Sequence, residues 1–168
     1  MADGKLREKG IEATEVHERV WVGSAPDRGS VVADRGFTHL VLCAHQYQPA
    51  ADVFPGVTVL HCPYEDDDSI MTGSTMTAVF LAARAVAEAQ KGGGNVLVTC
   101  VAGINRSALV ASLALQMLGV PAWITVERIR AKRYPNCLGN TCFLRIALGQ
   151  NRAVSHYLPE ALTDKEIP

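Results

Sequence analysis

Val96-Leu-Val-Thr-Cys100-Val-Ala-Gly103-Ile-Asn-Arg106-Ser107 is the stretch of sequence that decides the fold. Its first residues, 96–99, form a short apolar run that predicts a buried β-strand. A tight turn containing Gly103 follows, and a long apolar segment from Ser107 to Leu118 predicts a helix that is buried all round. A strand, a glycine-containing turn and a helix start together form an anion site, because the first turn of a helix has free N–H groups and a favourable dipole.

The side chains of this stretch predict a nucleophile beside an anion-binding arginine. Cys100 lies at the base of the predicted cup, where the helix N-terminus and a neighbouring guanidinium favour the thiolate. Arg106 can hold two phosphoryl oxygens at once, and Ser107 can donate a hydrogen bond to the Cys100 sulfur as it leaves a phosphocysteine. Backbone N–H groups can hold the phosphoryl oxygens as charge develops on them. The predicted phosphate-binding residues are Val101, Ala102, Gly103, Ile104, Asn105 and Arg106.

The pattern Cys100-x-x-Gly103-x-x-Arg106-Ser107 resembles the signature of the cysteine-based protein phosphatases, and the short chain is most similar to their dual-specificity class. The resemblance covers residues 18–149. The alternative, a buried cysteine in an ordinary strand-to-helix turn, leaves Arg106 at the start of a very apolar segment unexplained. The resemblance implies a metal-independent hydrolase without a cofactor. Such an enzyme acts on phosphotyrosine, and by extension on phosphoserine and phosphothreonine, through a phosphocysteine intermediate.

The resemblance also implies a carboxylic acid on the loop that follows the third predicted strand. One aspartic acid can protonate the leaving oxygen in the first step and activate water in the second. That part of the chain reads Pro63-Tyr-Glu65-Asp66-Asp67-Asp68-Ser69. The family's proline, three residues before its aspartate, selects Asp66, with Asp67 as the alternate. The competing interpretation is an acidic run that only solvates a loop or helps to start a helix, and we expect it to hold for one or two of these carboxylates but not for all of them.

Two supporting positions are also implied by the resemblance. The family usually has histidine immediately before the nucleophile, whereas this chain has Thr99, whose hydroxyl we expect to support the thiolate less well. Asn140-x-x-Phe143 resembles the asparagine and phenylalanine of the family's last helix, where the asparagine braces the phosphate loop. A plain N-cap is an equally good and compatible role for Asn140.

Composition agrees with one reduced, globular domain. The chain has 168 residues, which is enough for a workable core, with a hydrophobic fraction of 48% and a net charge of −1. Neither disorder nor a strongly charged partner is predicted from these values. The five cysteines are odd in number and lack a Cys-x-x-Cys pair, and the five histidines are scattered, so no metal site is predicted. No segment resembles a signal peptide or a membrane span, which favours a cytoplasmic protein.

Strands alternate with helices along the chain, which predicts an α/β domain of three layers. Its central sheet is twisted and largely parallel, flanked by helices, with the ligand at the carboxyl ends of the strands. We predict a loosely ordered segment at 1–17, the phosphatase catalytic domain at 18–150 and a C-terminal tail at 151–168. The predicted strands cover 19–23, 38–43, 57–62 and 96–99. The predicted helices cover 30–36, 74–91 with Ser74 as N-cap, 107–118, 121–133 and 140–149.

Several alternatives remain. An RNA 5′-phosphatase of the same superfamily is similar at 103–106, but those enzymes have Thr-His where this chain has Val101-Ala102, and no basic track is visible. A phosphate-binding module that has lost catalysis is a second alternative, against which the intact motif argues. A thiol redox protein is disfavoured because no second cysteine lies close to Cys100 along the chain. The expected partner is a phosphorylated protein, without metal, membrane or nucleic acid, and the oligomeric state is left open.

Overall fold

Six β-strands form a single mixed sheet in the computed structural model, which describes residues 4–8, 10–27, 29–69 and 71–150. In chain order the strands are β1 (Lys5–Glu8), β2 (Ile11–His17), β3 (Val20–Ser24), β4 (His39–Ala44), β5 (Thr58–Tyr64) and β6 (Val96–Cys100). Their order across the sheet is β1-β2-β3-β6-β4-β5. The pairs β3–β6, β6–β4 and β4–β5 are parallel, whereas β1–β2 and β2–β3 are antiparallel. The predicted tail at 151–168 lies outside the described residues.

Helices cover both faces of this sheet, so the prediction of a three-layer α/β domain with a largely parallel sheet is confirmed. The helices are α1 (Ser30–Asp34), α2 (Gly73–Lys91), α3 (Arg106–Met117), α4 (Ala122–Lys132) and α5 (Thr141–Ala147). Side chains of α2, α3, α4 and α5 pack on one face in a cluster that contains Val41 and Val98. The neighbouring residues Leu40, Leu42 and Leu97 point to the other face and pack with α1 and a short 3₁₀ turn. Because successive side chains along β4 and β6 point to opposite faces, a hydrophobic core lies on each side of the sheet.

Helix α3 is the central helix of the larger layer, and every residue from Arg106 to Gln116 is buried, as its apolar sequence predicts. Two of its buried polar side chains, Ser112 and Gln116, bond to neighbouring helices. Ser112 Oγ lies 2.7 Å from Thr125 Oγ1, and Gln116 Nε2 donates to the carbonyl of Ala147 at 2.9 Å. These bonds tie α3 to α4 and α5 and satisfy the side chains of Ser112 and Gln116.

The structure differs from the sequence-based prediction at the N-terminus. Residues 1–17 were expected to be loosely ordered, yet β1 and β2 form an antiparallel hairpin that extends the sheet. Ile11, Ala13 and Val16 are buried along β2. These few apolar residues lie among charged ones, and the strand gains its stability by pairing with β3, which local sequence does not reveal.

Two smaller predictions are also corrected. Thr72, not Ser74, caps α2, because its Oγ1 accepts from the Thr75 amide at 3.3 Å. Strand β5 continues through Pro63 to Tyr64 instead of ending at Cys62. Proline is tolerated there because β5 is an edge strand with a register shift beside it. Among the described residues, no helix is both long enough and apolar enough to cross a bilayer.

Candidate active site

A pocket of about 540 Å³ lies at the carboxyl ends of β6, β4 and β5. The loops that follow three neighbouring parallel strands meet there, which is the expected ligand position in such a sheet. We call residues 101–105, after β6, the cysteine loop, and residues 65–69, after β5, the acidic loop. The pocket is lined by Gln46, Asp66, Cys100, Val101, Ala102, Ile104, Asn105, Arg106, Asn136 and Gly139.

Cys100 ends β6 at the base of this pocket, and its side chain is buried. Its Sγ lies 3.2 Å from Oγ of Ser107, which is in the first turn of α3. Because a hydroxyl can donate to sulfur, this contact can stabilise negative charge on Sγ. The strand end and the helix start therefore place the Cys100 sulfur beside a hydrogen-bond donor and a helix N-terminus.

The Arg106 side chain is buried, and one of its nitrogens has no partner. Nη1 donates to Oε1 of Gln46 at 2.9 Å and to the carbonyl of Tyr64 at 3.1 Å. Nε makes no hydrogen bond to the described part of the chain. Since a buried guanidinium N–H without a partner costs free energy, Arg106 keeps hydrogen-bonding capacity that the described residues do not use. The Tyr64 hydroxyl also donates to the Arg106 carbonyl at 2.5 Å, so β5 fixes both ends of this arginine.

The three aspartates of the acidic loop have different partners. Asp66 lines the pocket, and its two carboxylate oxygens accept from the side-chain amides of Asn105 and Asn140, each at 3.2 Å. Asp67 accepts instead from the hydroxyl and the amide of Ser69, and these hydrogen bonds lower the pKa of the Asp67 carboxyl. Asp68 accepts from the amide and hydroxyl of Thr141 at 3.1 and 3.3 Å. Of these carboxylates, only that of Asp66 lines the pocket.

Asn140 links α5 to both loops. Its Oδ1 accepts from the Phe143 amide at 3.0 Å as the N-cap of α5. Its own amide donates to Oδ1 of Asn105 in the cysteine loop at 3.3 Å, and its Nδ2 donates to the Asp67 carbonyl at 2.7 Å. The side chain of Asn140 makes the capping contact, and its backbone amide contacts the cysteine loop, so the two compatible contacts are both present.

The buried side chain of Arg133 binds the backbone of the cysteine loop. Gly103 has a φ of 67°, and a Cβ there would lie 2.6 Å from the Gly23 carbonyl carbon, so only glycine fits. Arg133 donates from Nε to the Gly103 carbonyl at 3.2 Å and from Nη2 to the Ala102 carbonyl at 3.3 Å. These bonds draw two carbonyls away from the pocket. An ion pair with Glu12, at 3.7 Å, stabilises the buried charge of Arg133.

Thr99 does not contact the cysteine loop through its hydroxyl. Its Oγ1 donates to the Val41 carbonyl at 3.0 Å, within the sheet, and its side chain is buried. The hydroxyl therefore joins β6 to β4.

Several residues of the site were not predicted from the sequence. They are Gln46, Tyr64, Arg133, Asn136 and Gly139. Arg133 lies at the end of the predicted helix 121–133, and its burial beneath the cysteine loop was not predicted. For Gln46 the available signal was its position directly after a strand of the parallel sheet, at the edge where ligands bind. The other residues gave no such signal, because their roles depend on long-range packing.

Buried thiols and one phenol surround the site on its core side. Burial raises the pKa of Cys43 and of Tyr64 well above their ordinary values, and that of Cys62 to about 11. These groups are therefore neutral at physiological pH. Among the described residues, no group of three or more His, Cys, Asp or Glu side chains is placed to hold a metal ion.

Comparison with solved structures defines the class of fold. No protein-family model matches the chain, and none of the curated proteins matches it. Solved structures that match over most of the chain include dual-specificity phosphatases, Tk-PTP and PTPMT1. The chain therefore has the fold of the dual-specificity class of cysteine-based phosphatases, and the predicted resemblance is confirmed at the level of the fold.

Three of these structures show the extent of the likeness. A mouse putative dual specificity phosphatase complexed with zinc tungstate is 24% identical, with a TM-score of 0.68 over 93% of this chain and 96% of that one. Human DUSP28 is 23% identical, with a TM-score of 0.68 over 88% and 95% of the two chains. Tk-PTP in its active form is 23% identical, with a TM-score of 0.68 over 82% and 94%.

Proposed function

We propose that this protein is a cysteine-dependent phosphatase that removes phosphate from phosphorylated proteins. The observation that carries the proposal is the meeting of Cys100, Arg106 and Asp66 in one pocket, with Arg106 Nε unpaired. A sulfur nucleophile, a cation for the phosphoryl group and a carboxyl group for the leaving oxygen are the parts that this reaction needs.

The first step transfers the phosphoryl group to sulfur. The Cys100 thiolate attacks phosphorus, and the bond from phosphorus to the ester oxygen breaks. Arg106 and the N–H groups of the cysteine loop hold the equatorial oxygens, where negative charge develops. Asp66 gives its proton to the departing oxygen, so the alcohol or phenol leaves neutral.

The second step regenerates the enzyme. Water attacks the phosphocysteine while the Asp66 carboxylate accepts its proton, and the bond from phosphorus to sulfur breaks. Sulfur leaves as a thiolate, to which the Ser107 hydroxyl, at 3.2 Å, can donate. Inorganic phosphate departs, and the protonated Asp66 is ready for the next substrate.

The pocket favours a substrate with a single phosphomonoester and few other charges. Its described lining holds one cation, Arg106, while Val101 is 53% exposed and Ile104 also lines the pocket. Apolar side chains beside the cup suit a phosphotyrosine ring, and the same machinery serves phosphoserine or phosphothreonine. A 5′-triphosphate or a polyphosphorylated headgroup would gain from additional cations. This supports a protein substrate over RNA or a phosphoinositide.

A substrate panel tests the proposal. Phosphotyrosine, phosphoserine and phosphothreonine peptides, a phosphoinositide and 5′-triphosphate RNA are assayed with a chelator present. We expect release of phosphate from the phosphotyrosine peptide above all. Preference for the triphosphate RNA would instead support an RNA 5′-phosphatase. Binding of inorganic phosphate without turnover of any substrate would support a binding module.

Variants at Cys100 and Arg106 test the mechanism. Cys100→Ser should abolish turnover of an aryl phosphate but keep the fold and the binding of inorganic phosphate, because the cup is formed by backbone and Arg106. Arg106→Lys should slow turnover by at least about 10²-fold, since an ammonium cannot make the two parallel contacts. Full activity of Cys100→Ser, or complete loss of wild-type activity in the chelator, would contradict the mechanism.

A further inference from the structure

The side chain of Asn105 connects the cysteine loop to the acidic loop. Asn105 is the N-cap residue of α3, yet its side chain makes no capping hydrogen bond. Instead Nδ2 donates to Oδ2 of Asp66 at 3.2 Å, and Oδ1 accepts from the Asn140 amide at 3.3 Å. The capping role that asparagine usually fills is therefore given up for a contact across the pocket.

The orientation of this carboxamide is fixed by its neighbours. The Asn105 NH₂ group lies 3.2 Å from Oδ2 of Asp66, on the side of the carboxamide opposite its carbonyl oxygen. A backbone amide can only donate, so the carbonyl oxygen must face Asn140. Rotating the amide by half a turn would lose both bonds, and the contacts therefore select one arrangement.

Asp66 is held on both of its oxygens, although the surrounding acidic loop is exposed. Asn140 Nδ2 bonds to Oδ1 from the α5 side, and Asn105 Nδ2 bonds to Oδ2 from the cysteine-loop side, each at 3.2 Å. Asn140 is itself fixed as the N-cap of α5. An exposed carboxylate with a single partner would keep rotamer freedom, whereas two donors from different elements restrict it.

Asn105 is also next to Arg106, and its backbone lies within the loop that surrounds the phosphoryl group. One residue thus contacts the phosphoryl site through its backbone and the acid through its side chain. This sets the distance between the Asp66 carboxyl and the leaving oxygen. Displacement of a catalytic group by about 1 Å can cost about 10²-fold in rate.

We propose that the Asn105 side chain is a positioning residue that fixes the Asp66 carboxyl relative to the phosphoryl group. The assignment rests on the proposed function. It adds a role for the Asn105 side chain, whereas contact of Asn105 with the phosphoryl group needs only its backbone. The residue acts through Asp66, so its loss matters only when the leaving oxygen needs a proton.

Asn105→Ala tests this with two substrates of different leaving-group basicity. We expect kcat for a phosphotyrosine peptide to fall by about 10–100-fold with KM changed little, because protonation of the phenolate is disturbed. A fluorinated umbelliferyl phosphate, whose leaving group scarcely needs the proton, should slow by only a few-fold. Inhibition by inorganic phosphate should stay within a few-fold of wild type, which would show that the cup is intact.

A double-mutant cycle with Asp66→Ala separates this role from a merely structural one. In the Asp66→Ala background, Asn105→Ala should cost almost nothing further on the phosphotyrosine peptide. Asn95→Ala is the matched control, because the same truncation removes a side-chain hydrogen bond, to the Gly36 carbonyl, at the opposite end of β6. That variant should keep the wild-type ratio of rates for the two substrates.

Two outcomes would overturn the assignment while leaving the proposed function in place. One is an equal loss on both substrates in Asn105→Ala, and the other is full additivity with Asp66→Ala. Absence of any turnover by the wild-type protein would instead overturn the proposed function, and the assignment with it.

Discussion

Three consecutive aspartates with three different sets of partners are the sharpest residue-scale feature of this protein. Asp66 lies against the pocket, Asp67 turns back to Ser69 and Asp68 contacts the start of α5. Their side chains are chemically identical, so the position of each one decides what it can do. The structure thus provides two natural controls for any test of the acid.

Replacing Asp66 by Asn removes the proposed acid while keeping its shape. We expect hydrolysis of a phosphotyrosine peptide to slow by roughly 10²–10⁴-fold, since the leaving oxygen no longer receives a proton. A fluorinated umbelliferyl phosphate should be affected much less. Steady-state kinetics on both substrates, compared with Asp67→Asn and Asp68→Asn, measure this difference. If Asp67→Asn, and not Asp66→Asn, showed the leaving-group-dependent loss of activity, the acid would be Asp67 instead.

At the scale of elements, the cysteine loop depends on α4 and on the N-terminal hairpin. Arg133, at the C-terminal end of α4, binds the carbonyls of Ala102 and Gly103. It also pairs with Glu12 of β2, so the hairpin that extends the sheet takes part in holding the loop. The hairpin is therefore connected to the site through one buried guanidinium.

Arg133→Met tests this connection. The variant leaves two carbonyls without their donor, so we expect the free energy of unfolding to fall by about 1–3 kcal/mol. Turnover should fall about equally for good and poor leaving groups, because the phosphoryl cup itself is disturbed. Urea denaturation and kinetics on both substrates measure the two effects. Arg128→Met on the same helix, where the side chain contacts His17, is the control. A loss confined to poor leaving groups would contradict the role.

At the scale of the whole molecule, several ionisable side chains are buried in the core and are neutral there. Cys43, Cys62, Cys137 and Tyr64 are buried, and burial raises the pKa of each. For Cys62 the pKa rises from 9.0 to about 11. In the unfolded chain these groups lose their protons at lower pH than in the folded protein. The folded protein therefore holds more protons above pH 9, and its stability must fall as the pH rises.

This linkage predicts the alkaline limb of the stability profile. The stabilisation from these neutral groups is complete below about pH 9 and is lost as the pH rises towards 11. Urea denaturation at a series of pH values from 7 to 11 should show a steady loss of the free energy of unfolding above pH 9. Cys62→Ala should make that slope shallower, whatever its effect on stability at pH 7. A flat profile across this range would contradict the burial of these groups.

The sequence by itself determined the local part of the site. Cys100, Ser107 and Arg106 lie in one strand–turn–helix stretch, and their approach is fixed by short-range geometry once β6 and α3 form. The periodicity of the long segments was also sufficient for the three-layer class, because buried strands and helices differ in their apolar patterns. The catalytic roles of these residues remain predictions.

Only the tertiary structure decided which distant residues complete the pocket. The structure places Asp66 of the acidic loop in the pocket lining, whereas the sequence selected Asp66 only by resemblance. The burial of Arg133 and the pairing of β2 were not predicted, for the same reason. Their burial comes from pairing and packing between segments far apart in the chain, and local composition carries no record of those contacts.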